Sequence, residues 1–67
     1  MKKQRYYGTY LTNKNGNGVV FNHGGDNLTD ARDYGSFMGR QQSMVWQYTK
    51  FLGFNEPTGM GEFVELI

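Results

Sequence analysis

The sequence predicts a small α+β domain in which one short helix packs on one face of an antiparallel sheet, in the order ββαββ. Two runs of β-forming residues flank an Asn-Gly pair, which is typical of a hairpin. The segment 29–39 then carries a helix cap, early acidic residues and small residues at helical spacing. Most of the remaining chain returns to β-forming residues, so two further strands are expected after the helix.

The first two predicted strands form a hairpin. The segment 4–12 is rich in tyrosine and threonine, and 19–23 contains two valines and a phenylalanine, residues that suit a half-buried pleated surface. Between them, Asn15-Gly16 fits a two-residue type I′ turn, because both central residues of that turn need a positive φ. A turn at Asn17-Gly18 is the alternative, which changes the cross-strand pairs but keeps both strands.

The position of this turn sets the predicted pairing and the predicted core face. With Asn15-Gly16 as the turn, Tyr10 lies opposite Phe21. The same register places Leu11 opposite Val20. We expect the larger and less charged face to lie against the core, and four residues form it: Tyr6, Tyr10, Val19 and Phe21. Three residues form the other face: Tyr7, Leu11 and Val20.

The predicted helix spans residues 29–39. Thr29 or Asp26 can cap it, and acidic residues in its first turns suit the positive N-terminal end of the helix dipole. Its inner stripe consists of Ala31, Gly35 and Met38. A mid-helix glycine costs about 1 kcal/mol relative to alanine, so Gly35 indicates a close approach to the sheet, where a side chain does not fit. Gly39 is predicted to end the helix as its C′ residue.

The second half of the chain predicts two more strands. The segment 43–51 fits either a strand or a helix by its apolar spacing, but its valine, aromatic and threonine content favours a strand. One continuous helix from residue 29 to 52 would also contain two glycines, at a cost of roughly 2 kcal/mol. Residues 53–61 contain a proline and three glycines and predict a loop. The segment 62–67 is short and apolar and predicts an edge strand.

The length of the chain bounds its stability and its assembly. Sixty-seven residues form a single domain, 1–67, and a core of this size rarely supplies more than roughly 3–5 kcal/mol of net stability. There is no cysteine and only one histidine, so neither disulfides nor a usual zinc site can brace it. Oligomerisation is the remaining source of additional stability, and a homodimer is therefore expected. No secretion signal or apolar run of about 20 residues is present, so a cytoplasmic location is expected.

The sequence offers little catalytic equipment. His23 is the sole histidine, and neither serine lies at a spacing that supports a nucleophilic triad with it. His23, Asp26 and Asp30 could together ligate a cation, but a strand end followed by a helix cap explains the same residues. We therefore predict that the protein is not an enzyme and has no catalytic residue, cofactor or metal site.

Binding of another protein is the predicted function. Eleven aromatic residues are a high share for this length, and aromatic side chains are enriched at protein interfaces. Four residues are the predicted contacts: Trp46, Tyr48, Phe54 and Met60. For Trp46, a place in the core under the helix is equally compatible with the sequence. A small regulator or inhibitor, partnered by another protein or by itself as a homodimer, fits this interpretation.

Binding of single-stranded nucleic acid is the alternative. Residues 1–25 carry four basic and no acidic side chains, whereas residues 54–67 carry three acidic and no basic ones. Cations that contact phosphates beside aromatic rings that stack on bases are typical of single-strand binding proteins. The predicted contacts are Lys3, Arg5, Tyr7 and Lys14 on and around the first strand. Affinity for an oligonucleotide should then fall steeply as salt is added.

Overall fold

The computed structural model describes residues 3–55 and 61–66. Its elements are the strands β1 (Gln4–Thr12) and β2 (Gly18–Gly24), the helix α1 (Leu28–Gln41), and the strands β3 (Val45–Asn55) and β4 (Glu62–Leu66). The four strands form one antiparallel sheet in the order β3-β1-β2-β4. α1 crosses one face of this sheet and contacts β1, β2 and β3. The predicted α+β class and the ββαββ order are confirmed.

The β1–β2 turn differs from the predicted two-residue turn. The amide of Gly16 donates to the carbonyl of Asn13 at 3.0 Å, and Gly16 has φ 85° whereas Asn15 does not have a positive φ. This is a type I turn followed by a left-handed glycine, which forms a three-residue hairpin loop. The Asn13 side-chain oxygen accepts from the amides of Asn15 and Asn17, at 2.9 and 3.0 Å. These two bonds favour the longer loop over the type I′ turn.

The additional loop residue moves the strand register by one. Tyr10 pairs with Val20, and Leu11 pairs with Val19. The prediction that Tyr6 and Tyr10 share the core face was therefore wrong, because a shift of one residue exchanges the two faces of a strand. The side chains that face α1 from β1 and β2 are Tyr7, Thr9, Leu11, Val19 and Phe21, and those on the helix-free face include Tyr6, Tyr10 and Val20.

Both ends of α1 lie outside the predicted limits. Asn27, and not Thr29 or Asp26, is the N-cap, and its side-chain oxygen accepts from the amide of Asp30 at 2.8 Å. At the other end, the amide of Met44 donates to the carbonyl of Gly39 at 2.8 Å and that of Ser43 to the carbonyl of Arg40 at 3.1 Å. This bond pair is a Schellman motif. The C′ residue is therefore Ser43, with φ 60°, and Gly39 lies inside the helix.

Replacement of Ser43 by glycine is expected to stabilise the protein by about 0.5–1 kcal/mol, because glycine adopts the left-handed conformation without the strain of a Cβ atom. Ser36→Gly is the matched control: the same substitution inside the same helix should destabilise by a similar amount. Urea unfolding followed by circular dichroism measures both. A loss of stability in Ser43→Gly would contradict the assignment of Ser43 as the C′ residue.

α1 packs closely on the sheet through small residues. Ala31, Gly35 and Gly39 are its buried residues. A Cβ atom at Gly35 would overlap the side chain of Thr9, and one at Gly39 would come within 2.8 Å of Leu11 Cδ2. The prediction that Gly35 lies close to the sheet is confirmed. Beside this contact lies the hydrophobic core, formed by Leu11, Val19 and Phe21 with the partly buried Tyr34, Met38, Met44 and Phe63.

β3 is a strand, as predicted, but it is longer than predicted. It continues through Gly53 and Phe54 to Asn55, residues that the sequence assigned to a loop. Two bulges interrupt its pairing with β1, because Gln47 and Leu52 each lack a partner residue on β1. Gly53, with φ 129°, follows the second of these bulges. A glycine at a bulge lets the strand bend and continue, which explains why the sequence resembled a loop.

Candidate protein-binding surface

Exposed apolar side chains concentrate on β3. Among the described residues, nine large apolar side chains are more than 40% exposed, and six of them lie on this strand. We call these six the β3 surface: Val45, Trp46, Tyr48, Phe51, Leu52 and Phe54. β3 is also an outermost strand of the sheet, so no described strand pairs with its outer edge. Long, apolar edge strands present unpaired backbone groups to which another chain can bind.

Trp46 is held in place by a chain of hydrogen bonds that runs across three elements. Its indole Nε1 donates to the Thr49 hydroxyl at 3.0 Å, and that hydroxyl donates to the Thr9 hydroxyl at 3.0 Å. The Thr9 hydroxyl, which is fully buried, donates to the carbonyl of Ala31 in α1 at 3.1 Å. The indole is nevertheless 42% exposed. Trp46 is thus a fixed ring on the surface and not the buried core tryptophan.

A cleft lies between α1 and the beginning of β3. Its volume is about 580 Å³, and its walls are formed by Arg32, Asp33, Ser36, Arg40, Met44, Val45 and Trp46. Arg32 pairs with Asp33 at 3.1 Å, but both side chains are more than half exposed, so this ion pair adds little stability. The cleft therefore combines an aromatic ring with solvated charges of both signs.

The far end of β3 carries a second aromatic group on the helix side of the sheet. The ring of Phe51 lies 5.5 Å from that of Tyr7 and 5.3 Å from that of Phe54, in edge-on geometry. Edge-on contacts are favourable for aromatic pairs. Tyr7 is buried, whereas Phe51 and Phe54 are about half exposed. The buried tyrosine thus supports two phenylalanines that present their outer surfaces to solvent.

The helix-free face of β3 presents Tyr48, Lys50 and Leu52. The ring of Tyr48 stacks on Tyr10 at 4.5 Å with an interplanar angle of 15°, and Lys50 Nζ lies 5.5 Å from the centre of the Tyr10 ring. Leu52 lies over Gly8, where a Cβ atom would come within 2.9 Å of Leu52 Cδ1. Both faces of β3 therefore expose apolar or aromatic groups.

Three of the four predicted protein contacts come together on one strand. Trp46 and Phe54 lie on the helix side of β3 and Tyr48 lies on the other side, whereas Met60 lies outside the described residues. Val45, Phe51 and Leu52 were not predicted as contacts. The available signal was the apolar content of both strand faces, which is equally typical of a buried inner strand, and only the strand order identifies β3 as an edge.

The four predicted nucleic-acid contacts are not brought together. Tyr7 is 6% exposed, so it cannot stack on a base from its present position. Arg5 donates to the carbonyl of Asp26 at 3.4 Å, and Lys3 directly precedes β1. Lys14 lies in the turn at the other end of this nine-residue strand, roughly 30 Å away. Binding of single-stranded nucleic acid stays a prediction.

The residues considered for catalysis have structural contacts. The His23 ring stacks on Tyr34 at 4.7 Å with an interplanar angle of 9°, and the Asp30 side chain accepts from the Asn27 cap at 3.1 Å. Within residues 3–55 and 61–66, no three histidine, aspartate or glutamate side chains are grouped so that they could hold a metal ion. In the same part of the chain, no helix combines the length and apolar character needed to cross a membrane.

Comparison with known proteins gives no relative from which a function can be transferred. No protein-family model, curated sequence or solved structure matches this chain. The candidate site is therefore defined by the geometry of the β3 surface alone.

Proposed function

We propose that the protein is a non-enzymatic binding protein that acts through protein–protein contacts, and that the β3 surface makes those contacts. One observation carries the proposal: six of the nine exposed large apolar side chains in the described residues lie on one outermost strand. Scattered exposed apolar residues are normal, but a concentration of them along one outermost strand is costly unless it is covered. A role as a small regulator or inhibitor, which works by occupying the surface of a partner, is consistent with this equipment.

The two outer strands differ in their suitability for pairing. β4 has only five residues, and two of them are Glu62 and Glu65. Short and charged edge strands resist the addition of another strand. β3 has eleven residues, and Lys50 is its only ionisable side chain apart from Tyr48. The contrast favours β3 as the edge that a partner contacts.

A photo-crosslinking experiment in cells that naturally express the protein tests this proposal. A benzophenone amino acid replaces Tyr48 in one variant and Phe37 in the other, since these side chains are 50% and 51% exposed and lie on β3 and α1 respectively. We expect a discrete protein adduct at position 48 and none at position 37. Leu52→Glu, which places a charge on the same helix-free face as Tyr48, should abolish the adduct at 48, while Phe37→Glu should leave it unchanged. Equal adducts at both positions, or an adduct at 37 alone, would reject the β3 surface.

A further inference from the structure

We propose that the partner of the β3 surface is a second copy of this chain. The two β3 strands pair antiparallel about a two-fold axis at Thr49, and two four-stranded sheets become one sheet of eight strands. The inference rests on the proposed function of the β3 surface, and it adds the identity of the partner and the register of the pairing.

The burial pattern of β3 is the first argument. Five of the nine residues of β1 are buried, whereas none of the eleven residues of β3 is. In a single chain, β3 is therefore held by its hydrogen bonds to β1 and by side-chain contacts with β1 and α1 that stay partly open to solvent, with no buried side chain of its own. Pairing along its other edge turns β3 from an outer strand into an inner one, where both edges are hydrogen-bonded.

Geometry restricts the possible registers. The bulges at Gln47 and Leu52 leave residues 48–51 as the regular part of the strand. A two-fold axis perpendicular to the sheet keeps each face on its own side, so a residue can lie opposite only a residue of the same face. Tyr48 and Lys50 share the helix-free face. Among the allowed positions of the axis, Thr49 and Lys50 lie closest to the centre of this regular segment.

Charge selects between these two registers. An axis at Lys50 places the two ammonium groups directly opposite each other, and like charges in a cross-strand pair repel. An axis at Thr49 instead places Lys50 of each copy opposite Tyr48 of the other. That arrangement repeats between copies the contact that Lys50 already makes with the Tyr10 ring, 5.5 Å away in the same chain. The ammonium group of Lys50 in each copy then contacts the Tyr48 ring of the other copy.

The natural sequence contains no cysteine, so single-cysteine variants report this register without interference. Opposed Cα atoms in an antiparallel pair are about 4.5–5.5 Å apart, within the range of a disulfide. Purified Tyr48→Cys and Lys50→Cys proteins are oxidised separately and as an equal mixture. Both side chains are solvent-exposed, so folding should be retained. We expect the mixture to form the mixed disulfide about tenfold faster than either variant forms its own, and faster than Phe37→Cys on α1.

Sedimentation of the unmodified chain at micromolar concentration accompanies the disulfide measurement, and a dimer is expected. A mixed disulfide between Tyr48→Cys and Leu52→Cys that forms faster than the one between Tyr48→Cys and Lys50→Cys would overturn the register, because an axis at Lys50 places Tyr48 opposite Leu52 with both lysines in place. A monomer, with no β3 cysteine reacting faster than Phe37→Cys, would overturn the second copy as the partner. If photo-crosslinking at position 48 then captures a different protein, the proposed function of the β3 surface stands without this inference. If it captures nothing, both fail.

Discussion

Gly35→Ala is expected to lower the free energy of unfolding by about 2 kcal/mol or more, although alanine favours a helix over glycine by about 1 kcal/mol. A Cβ atom at this position would overlap the Cβ, Oγ1 and Cγ2 atoms of Thr9. Thr9 is fully buried in a strand with neighbours on both sides, and its branched side chain has little freedom to rotate. The helix must therefore move away from the sheet, which opens the packing along its length.

Two alanine substitutions in the same helix are the controls for this prediction. At Gly39 the nearest atom is a terminal methyl of Leu11, 2.8 Å from the added Cβ, which can rotate away, so Gly39→Ala should cost less than Gly35→Ala. Ser36→Ala lies one position further along α1 and should be neutral or slightly stabilising. Urea unfolding followed by circular dichroism gives all three values. A Gly35→Ala protein as stable as the natural one would show that α1 does not rest on Thr9.

The helix and its contact with the sheet could be predicted because the relevant signals are local. A glycine in the middle of a helical pattern is unfavourable in isolation, so its presence at position 35 indicated a close neighbour. The cap residues were harder to place, since several adjacent polar residues can fill that position. Asn27 is the N-cap, and not Thr29 or Asp26, because the backbone changes from extended to helical at Asn27. The sequence pattern does not specify the position of that change.

The hairpin register and the site depended on information that is not local. The sign of one φ angle, that of Asn15, separates a type I turn followed by a left-handed glycine from a type I′ turn, and both turns accept the Asn-Gly sequence. Strand order is a property of the whole sheet. The apolar segment of β3 would be buried as an inner strand, but between solvent and β1 the same residues form an exposed surface. Trp46 and Tyr48 were therefore correctly placed on a strand, while Val45, Phe51 and Leu52 were not recognised as exposed.

Thr9→Val is expected to destabilise the protein by about 1–2 kcal/mol, although valine has nearly the same shape as threonine. The buried Thr9 hydroxyl donates to the Ala31 carbonyl and accepts from the Thr49 hydroxyl. Valine removes both bonds and leaves the Thr49 hydroxyl without its acceptor. The Thr49 hydroxyl is also the acceptor of the Trp46 indole, so a change in its position changes how that ring is held. We therefore expect the indole to become more mobile and its fluorescence emission to shift to longer wavelength.

Trp46 is the only tryptophan of the chain, so its emission reports this site alone. Thr12→Val is the matched control on the same strand, because the Thr12 hydroxyl accepts from the exposed Gln47 side chain, at 3.1 Å. It should change the free energy of unfolding by less than about 0.5 kcal/mol and leave the emission unchanged. Because the hydrogen-bond chain joins α1 to the β3 surface, Thr9→Val should also weaken the association proposed for β3. Normal stability with unshifted emission in Thr9→Val would mean that Trp46 is held by packing and not by the buried hydroxyl.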